Sequence, residues 1–289
     1  MSGTLNSVNT NYGAMVALQS LNSTSSALNA AQKEISTGYR VADASDDGAA
    51  YAVAQSVRSD VSALTSANQQ LGNVQGLLST TSSALNDIST TMSNARSVLV
   101  KLSDGSVQGS ERSGYIQQYD SYVANIKTFI QDADYNGDTL IGDVTGSSGT
   151  FGRVAVVRNE NGGSYGISTF SGSAFLGSIS FTSTQLNGSS TVAGLIGTAS
   201  SATFINQMNS LNTAMTTYGS ATNYVTNQVS YNSDKIDALN SGLGSLVDAN
   251  LAQESALLQS LQIKQQLGTQ ALSIADQAPQ TLLTLFKGA

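Results

Sequence analysis

The chain has 289 residues with no Cys, no His, no Trp, a single Pro and a net charge of −7. Without Cys or His, zinc, iron–sulfur, haem and thiol chemistry lose their usual ligands, and every Ser-His-Asp or Cys-His mechanism is excluded, so neither a cofactor nor an enzyme is expected. The twelve Lys and Arg are scattered rather than clustered, which argues against nucleic-acid binding, and no apolar run is long enough to span a membrane.

Charged residues make up only 11% and aromatics 6%, a composition that suits long helices packed side by side. The opening stretch MSGTLNSVNTNYGAMVALQSL has no basic residue before Lys33 and no continuous apolar segment, so it does not read as a secretory signal peptide. A first helix is expected over roughly residues 6 to 36. Ala14, Leu21, Leu28 and Ile35 are seven apart, Ala17, Thr24 and Ala31 fill the offset positions, and Leu18 joins the same apolar set. Gly38 can take the left-handed conformation that ends a helix.

Ser45, Asp46 and Asp47 then offer acceptors for the unpaired N–H groups of a second helix. Val57, Leu64, Leu71, Leu78, Leu85, Met92 and Leu99 follow at seven-residue spacing, with Ala67, Val74, Ile88, Ala95 and Leu102 at the offset. Such a helix is on the order of 85 Å long and needs partner helices throughout, so this stripe is expected to be bundle core. SDGSVQGSE breaks it. A shorter helix from about Ser110 to Asp132 places Tyr115, Tyr119, Tyr122, Ile126, Phe129 and Ile130 on one side. In DADYNGDTLIGD, Asn136-Gly137 is a hairpin signal leading into extended structure.

Residues 140 to 200 are dense in Gly and Ser. FGRVAVVRNENGGSYGISTF predicts two short strands around an Asn/Gly turn, and FLGSISFTS a third strand. Helix resumes near Ser201 with Phe204, Ile205, Met208, Leu211 and Met215 on one face. An interruption is expected at TYGS, then a second run from about Asn223 to Val247. In the last segment Leu251, Leu258, Leu272 and Phe286 share one seven-residue register, broken by Gln265 and Pro279. Leu261, Ala275 and Leu282 share the offset register, broken by Glu254 and Gly268. The two terminal seams belong to helices too weakly stabilised to stand alone, so they are expected to contact other subunits. The order predicts a mainly α fold, a long antiparallel coiled-coil or helical-bundle rod of paired N- and C-terminal helices with a small β-rich central insertion.

Two acidic groups are candidates for a metal site. Asp43, Asp46 and Asp47 lack the glycine and the ligand spacing of a calcium loop. Asp132, Asp134, Asn136 and Asp138 resemble the start of one, but Asp143 stands where its closing Glu belongs. A helix cap and a turn are the expected readings, with no metal.

Two long stretches carry a family likeness: SVNTNYGAMVALQSLNSTSSALNAAQKEISTGYRVADASDDGAAYAVA, and LVDANLAQESALLQSLQIKQQLGTQALSIADQAPQTLLTLF, with ALNDIS and YNGDTLI between them. With both signatures in order at the two ends, the chain resembles a bacterial flagellin. The resemblance implies a structural subunit that polymerises into the hollow helical flagellar filament for swimming, the alternative being the hook–filament junction protein. It implies an inner-tube helix at 1–36, a spoke linker at 37–46, outer-layer helices at 47–140, an exposed insertion at 141–200, further outer-layer helices at 201–249 and a second inner-tube helix at 250–289. Ala14, Leu18, Leu21, Leu28 and Ile35, with Leu251, Leu258, Leu261, Leu272, Leu282 and Phe286, would then pack the filament. Implied partners are further copies of the chain, hook-junction and filament-cap proteins, and a cytosolic export chaperone on the C-terminal segment. The implied location is the extracellular filament, reached by type III export without a cleaved signal peptide. In many flagellins an innate immune receptor reads Gln-Arg-x-Arg-Glu-Leu on the outer helix. Ser93, Asn94, Ala95, Arg96, Ser97 and Val98 stand there, only Arg96 matches, and weak receptor activation is expected.

Overall fold

The computed structural model describes residues 11–197 and 203–287, with side chains described through Gln277. In chain order the elements are α1 (Tyr12–Thr37), α2 (Gly48–Leu102), α3 (Gly109–Gln131), β1 (Asp138–Thr139), β2 (Thr150–Phe151), β3 (Val154–Val157), β4 (Ser164–Ile167), α4 (Gly172–Ile179), α5 (Ser183–Asn187), α6 (Ser189–Ile196), α7 (Thr203–Val247) and α8 (Leu251–Lys287). The architecture is mainly α with two small two-stranded sheets. No described helix is long and apolar enough to cross a membrane. The contacts divide the chain into two compact units, residues 1–59 with 238–289 and residues 60–237.

The second unit is built on the long seven-residue stripe. Leu64, Leu71, Leu78, Leu85, Met92 and Leu99 are fully buried, whereas Val57, which belongs to the first unit, is half-buried. Tyr119, Ile126 and Ile130 of α3 and Phe204, Leu211, Tyr218 and Val225 of α7 complete the core with the apolar side of the insertion. Each large side chain removed from water there stabilises the unit by about 1.5–3 kcal/mol. Polar groups that enter this core are hydrogen-bonded. The Tyr119 hydroxyl donates to the Ile179 carbonyl at 2.6 Å, and burial pushes its pKa upward. Arg112, 7% exposed, donates to the carbonyls of Leu102, Val107 and Leu186, which include the last residue of α2 and the end of α5. Helix C-termini carry partial negative charge, so three carbonyls serve this cation in place of a carboxylate. Asn232 is buried as well. Its amide donates to Asn68 Oδ1 at 2.9 Å and to the Arg158 carbonyl at 3.0 Å, joining α7 to α2 and to the β3–β4 turn.

Several sequence expectations are corrected. FLGSISFTS is not a third strand: residues 172–179 form α4, capped by Ser171, whose hydroxyl accepts from the Ala174 N–H. Phe175 and Ile179, four apart, are buried on one face of that helix, which outweighs the alternation that suggested a strand. Residues 183–187 and 189–196 are helical too, as α5 and α6. TYGS does not interrupt α7, because Tyr218 is buried in the core and holds the helix through Gly219. Asn136 and Gly137, with φ of 52° and 85°, do form a tight turn in which Tyr135 and Asp138 exchange backbone bonds of 2.9 and 3.0 Å. The strand after it is only two residues long, however, and pairs in parallel with β2 rather than as a hairpin. The antiparallel β3–β4 hairpin, Val154 opposite Ile167, matches expectation. Residues 6–10 of the expected first helix lie outside the described residues, and α1 begins at Tyr12 behind the cap residue Asn11.

Candidate assembly surface

In the first unit α1 packs against α8. The direction is antiparallel. Gly13 lies beside Ala275 and Leu21 beside Gly268, while Leu28 and Ala31 close on Leu261, and Glu34 feels the charge of Glu254. The positions facing inward on α1, Ala14, Leu21, Leu28 and Ile35, are those of the predicted seam, half-buried except for Leu28, which is buried. On α8, Leu261 is buried and Leu258 and Leu272 are half-buried. Leu282 and Phe286 lie outside the described side chains. Within one chain, then, Leu21, Leu28 and Leu261 of the seam assigned from sequence to neighbouring subunits already have a partner.

Among the described residues, a second set of apolar side chains is exposed instead. Tyr12 is 65% exposed, and Met15, Val16 and Leu18 are also exposed on α1, where Tyr12, Met15, Val16, Gln19 and Asn22 line a shallow concavity. On α8 Leu251, Leu257, Ile263, Leu267 and Ile274 are exposed, Ile274 at 69%. Ile263, Leu267 and Ile274 are spaced by four and seven residues and so share one helix face. Sequence periodicity singles out Leu18 and Leu251 but not the others, because a seven-residue register and its offset together mark only one face. The signal was present: the two helices carry more large apolar residues than one seam can use.

The link between α1 and α2 is tied down in several ways. Gly38 adopts φ 75° and its N–H reaches the Glu34 carbonyl at 2.8 Å. Tyr39 then pairs with Asp248 in an antiparallel bridge, Arg40 and Val41 donate backbone N–H bonds to the Val247 carbonyl, and Ala249 donates to the Gly38 carbonyl at 2.9 Å. Val41, Ala50, Ala54 and Val247 make a small core beneath, and the Arg58 guanidinium sits 5.7 Å over the Tyr39 ring. The acidic group divides its work. Asp47 caps α2 through the Ala49 and Ala50 N–H groups. Asp43 and Asp46 instead each lie 2.7 Å from the Lys33 ammonium, and Asp46 also accepts from the backbone of Ala42 and Asp43. The helix-cap reading therefore holds for Asp47 and is corrected for Asp46. Ser45 donates to Asp43 and caps nothing. The bonds from Lys33 hold the Asp43 and Asp46 carboxyls below the usual carboxylate range and raise Lys33 in turn. An ammonium thus stands where a metal reading would have put a cation, and no metal-holding group of three ligating residues occurs among the described residues.

In the α2 segment aligned with the immune-receptor motif, Asn94, Arg96 and Ser97 are exposed, while Val98 is buried in the core of the second unit.

Comparison with known proteins places these features in a context. The bacterial flagellin N-terminal helical region matches residues 8–145, and the bacterial flagellin C-terminal helical region matches residues 203–286. Flagellin FljM of Caulobacter vibrioides is 33% identical over 288 residues, spanning 98% of this chain and 99% of the relative. A flagellin of Brucella melitensis is 33% identical over 296 residues with the same coverage. Among solved structures, a protein described as flagellar hook-associated, from Vibrio parahaemolyticus, overlays 70% of this chain and all of its own with a TM-score of 0.53, at 18% identity, a likeness of fold alone.

Proposed function

The chain belongs to the bacterial flagellin family, structural subunits of the extracellular flagellar filament rather than enzymes, and from that premise we propose that α1 and α8 divide their faces between two tasks. The inward seam, with Ala14, Leu21, Leu28 and Ile35 against Leu258, Leu261 and Leu272, holds the two helices together. The outward residues Tyr12, Met15, Val16, Leu18, Leu251, Leu257, Ile263, Leu267 and Ile274 meet neighbouring copies. The observation that carries this reading is the exposed face shared by Ile263, Leu267 and Ile274 on a helix whose other face is already partnered. A head-to-tail interface whose rotation does not close on itself gives an open helix rather than a ring, which is the form a filament requires. On this proposal residues 1–36 and 250–289 form the inner tube, 37–46 the spoke, 47–140 and 201–249 the outer layer, and 141–200 the exposed insertion. The six buried stripe residues from Leu64 to Leu99 hold the outer-layer core.

Further partners follow from the same surface. The outward face of α8 suits a cytosolic chaperone that shields it before assembly, and cap and hook-junction proteins would meet it at the two ends of the filament. Type III export of an unfolded chain fits a sequence whose lack of Cys leaves no disulfide to resist unfolding. The hook–filament junction reading gains no support over flagellin, because the curated relatives matched over nearly the whole chain are flagellins.

The test is Ile263→Asp and Leu267→Asp. Both should keep the helical content of the monomer and abolish filaments under electron microscopy after seeding, because burying an unpaired charge costs several kcal/mol, roughly. Leu258→Asp should instead lower monomer helicity, since it strikes the intrachain seam. Filaments of normal length from the Ile263 and Leu267 variants would overturn the assignment of that face.

A further inference from the structure

The seven-residue pattern leaves the alignment of α1 against α8 weakly specified. A slip by one repeat still sets apolar residues of one helix against those of the other. In paired helices of this kind a single polar contact in the seam commonly selects the register. Such a contact exists here. The Asn11 side chain makes two hydrogen bonds: its Oδ1 accepts from the Ala14 N–H at 3.0 Å, capping α1, and its Nδ2 donates to the Ala275 carbonyl at 2.7 Å. Only this amide orientation satisfies both, since a carbonyl cannot donate and an N–H cannot accept.

Ala275 is not an arbitrary partner. In α8 each interior carbonyl takes the N–H of the residue four places on, but four places after Ala275 stands Pro279, which has no N–H. Pro279 is the chain's single proline, so Ala275 is the one interior carbonyl of α8 that lacks its regular donor. We propose that Asn11 is a register-setting residue, whose amide recognises the carbonyl that Pro279 frees and so fixes which turn of α8 faces the start of α1. Leu21 seated over Gly268, where an added Cβ would lie 3.3 Å from the leucine Cδ1, fits the same alignment. The proposal goes beyond the division of faces above, because it concerns pairing within one chain and is read separately from filament formation.

The chain has no cysteine, so cross-links report the register cleanly. A Cβ at Gly13 lies 4.0 Å from the Ala275 Cβ, within the usual Cβ separation of a disulfide. Full-length Gly13→Cys/Ala275→Cys and the slipped pair Gly13→Cys/Gly268→Cys are oxidised, and intrachain products are quantified by non-reducing gel and peptide mass spectrometry. With Asn11 present the 13–275 product should dominate. Asn11→Asp keeps the cap acceptor, so helicity should hold, but it loses the donor, and the ratio of slipped to aligned product should rise about fivefold. Pro279→Ala should shift the ratio the same way, and adding Asn11→Asp to it should change little more, as expected of two residues acting through one contact. Failure of the aligned product to form, or an unchanged ratio in Asn11→Asp, overturns the proposal whether or not filaments assemble.

Discussion

Arg112 shows how a single side chain can organise a junction without leaving a sequence signal. Among the described residues it has no carboxylate partner, and its guanidinium is satisfied by three backbone carbonyls from separate segments. Arg112→Met should therefore destabilise the second unit by about 3 kcal/mol, because buried carbonyls lose their donor. Arg112→Lys should recover only part of this, since a lysine ammonium cannot reproduce the planar fork. Urea denaturation followed by circular dichroism measures both. Glu34 makes a residue-scale prediction about pH. Burial, and then the charge of Glu254, raise its pKa, with Arg40 and Lys33 opposing and Asp46 adding to the effect. A carboxyl that holds its proton more tightly when folded contributes stability below its ordinary value, and loses that contribution as the pH climbs through the raised value. Asp43 and Asp46 act oppositely: their contribution is present above the ordinary aspartate value and disappears as the pH falls through their lowered ones. Glu34→Gln should thus raise the thermal midpoint of the first unit at neutral pH and leave it nearly unchanged near about pH 4.

At the scale of elements, two helical glycines should respond in opposite directions to the same substitution. Gly219 in α7 has open space where a Cβ would go, so Gly219→Ala should stabilise by about 0.5–1 kcal/mol through helix propensity. A Cβ on Gly76 in α2 would fall 2.4 Å from the Tyr135 ring, so Gly76→Ala must displace that tyrosine and should cost about 1–3 kcal/mol. Thermal denaturation of the two variants side by side checks the contrast. The same residues show what was legible in the sequence. The α2 stripe was readable because one large apolar residue recurs every seven positions over a helix with little else to interpret. Gly219 reads as a breaker from sequence because composition does not reveal that the adjacent Tyr218 is buried. The α4 segment reads as a strand from sequence because Ile179 and Phe181 alternate with serines, whereas the deciding features are the Ser171 cap and the four-residue step from Phe175 to Ile179. On the candidate surface, the inward seam followed from periodicity, but the outward face did not. Which of two apolar stripes is left exposed depends on where the partner helix lies, and the bond from Asn11 joins residues 264 positions apart.

For the whole molecule, the two units predict separable stability. A chain ending at Asn250 loses α8 and with it the partner of α1, so it should lose the helicity of both, yet keep the cooperative unfolding of the 60–237 unit at an unchanged midpoint. Calorimetry of full-length and truncated chains measures this, and a lowered midpoint for that unit would contradict the division. The bond between Asn68 and Asn232 has a consequence for the order in which the protein folds. It clasps two points 164 residues apart within the second unit, and α1 is made first but must wait for α8, which is made last. Closing a loop grows costlier with length, by about 0.6 kcal/mol per doubling, so α1 and α8 find each other more readily once that clasp has shortened the intervening chain. The terminal pair should therefore be the last contact to form and the first to open. In native-state hydrogen exchange, amides of α1 and α8 should exchange through local opening, well before those of the α2 stripe, whose protection should approach the global limit.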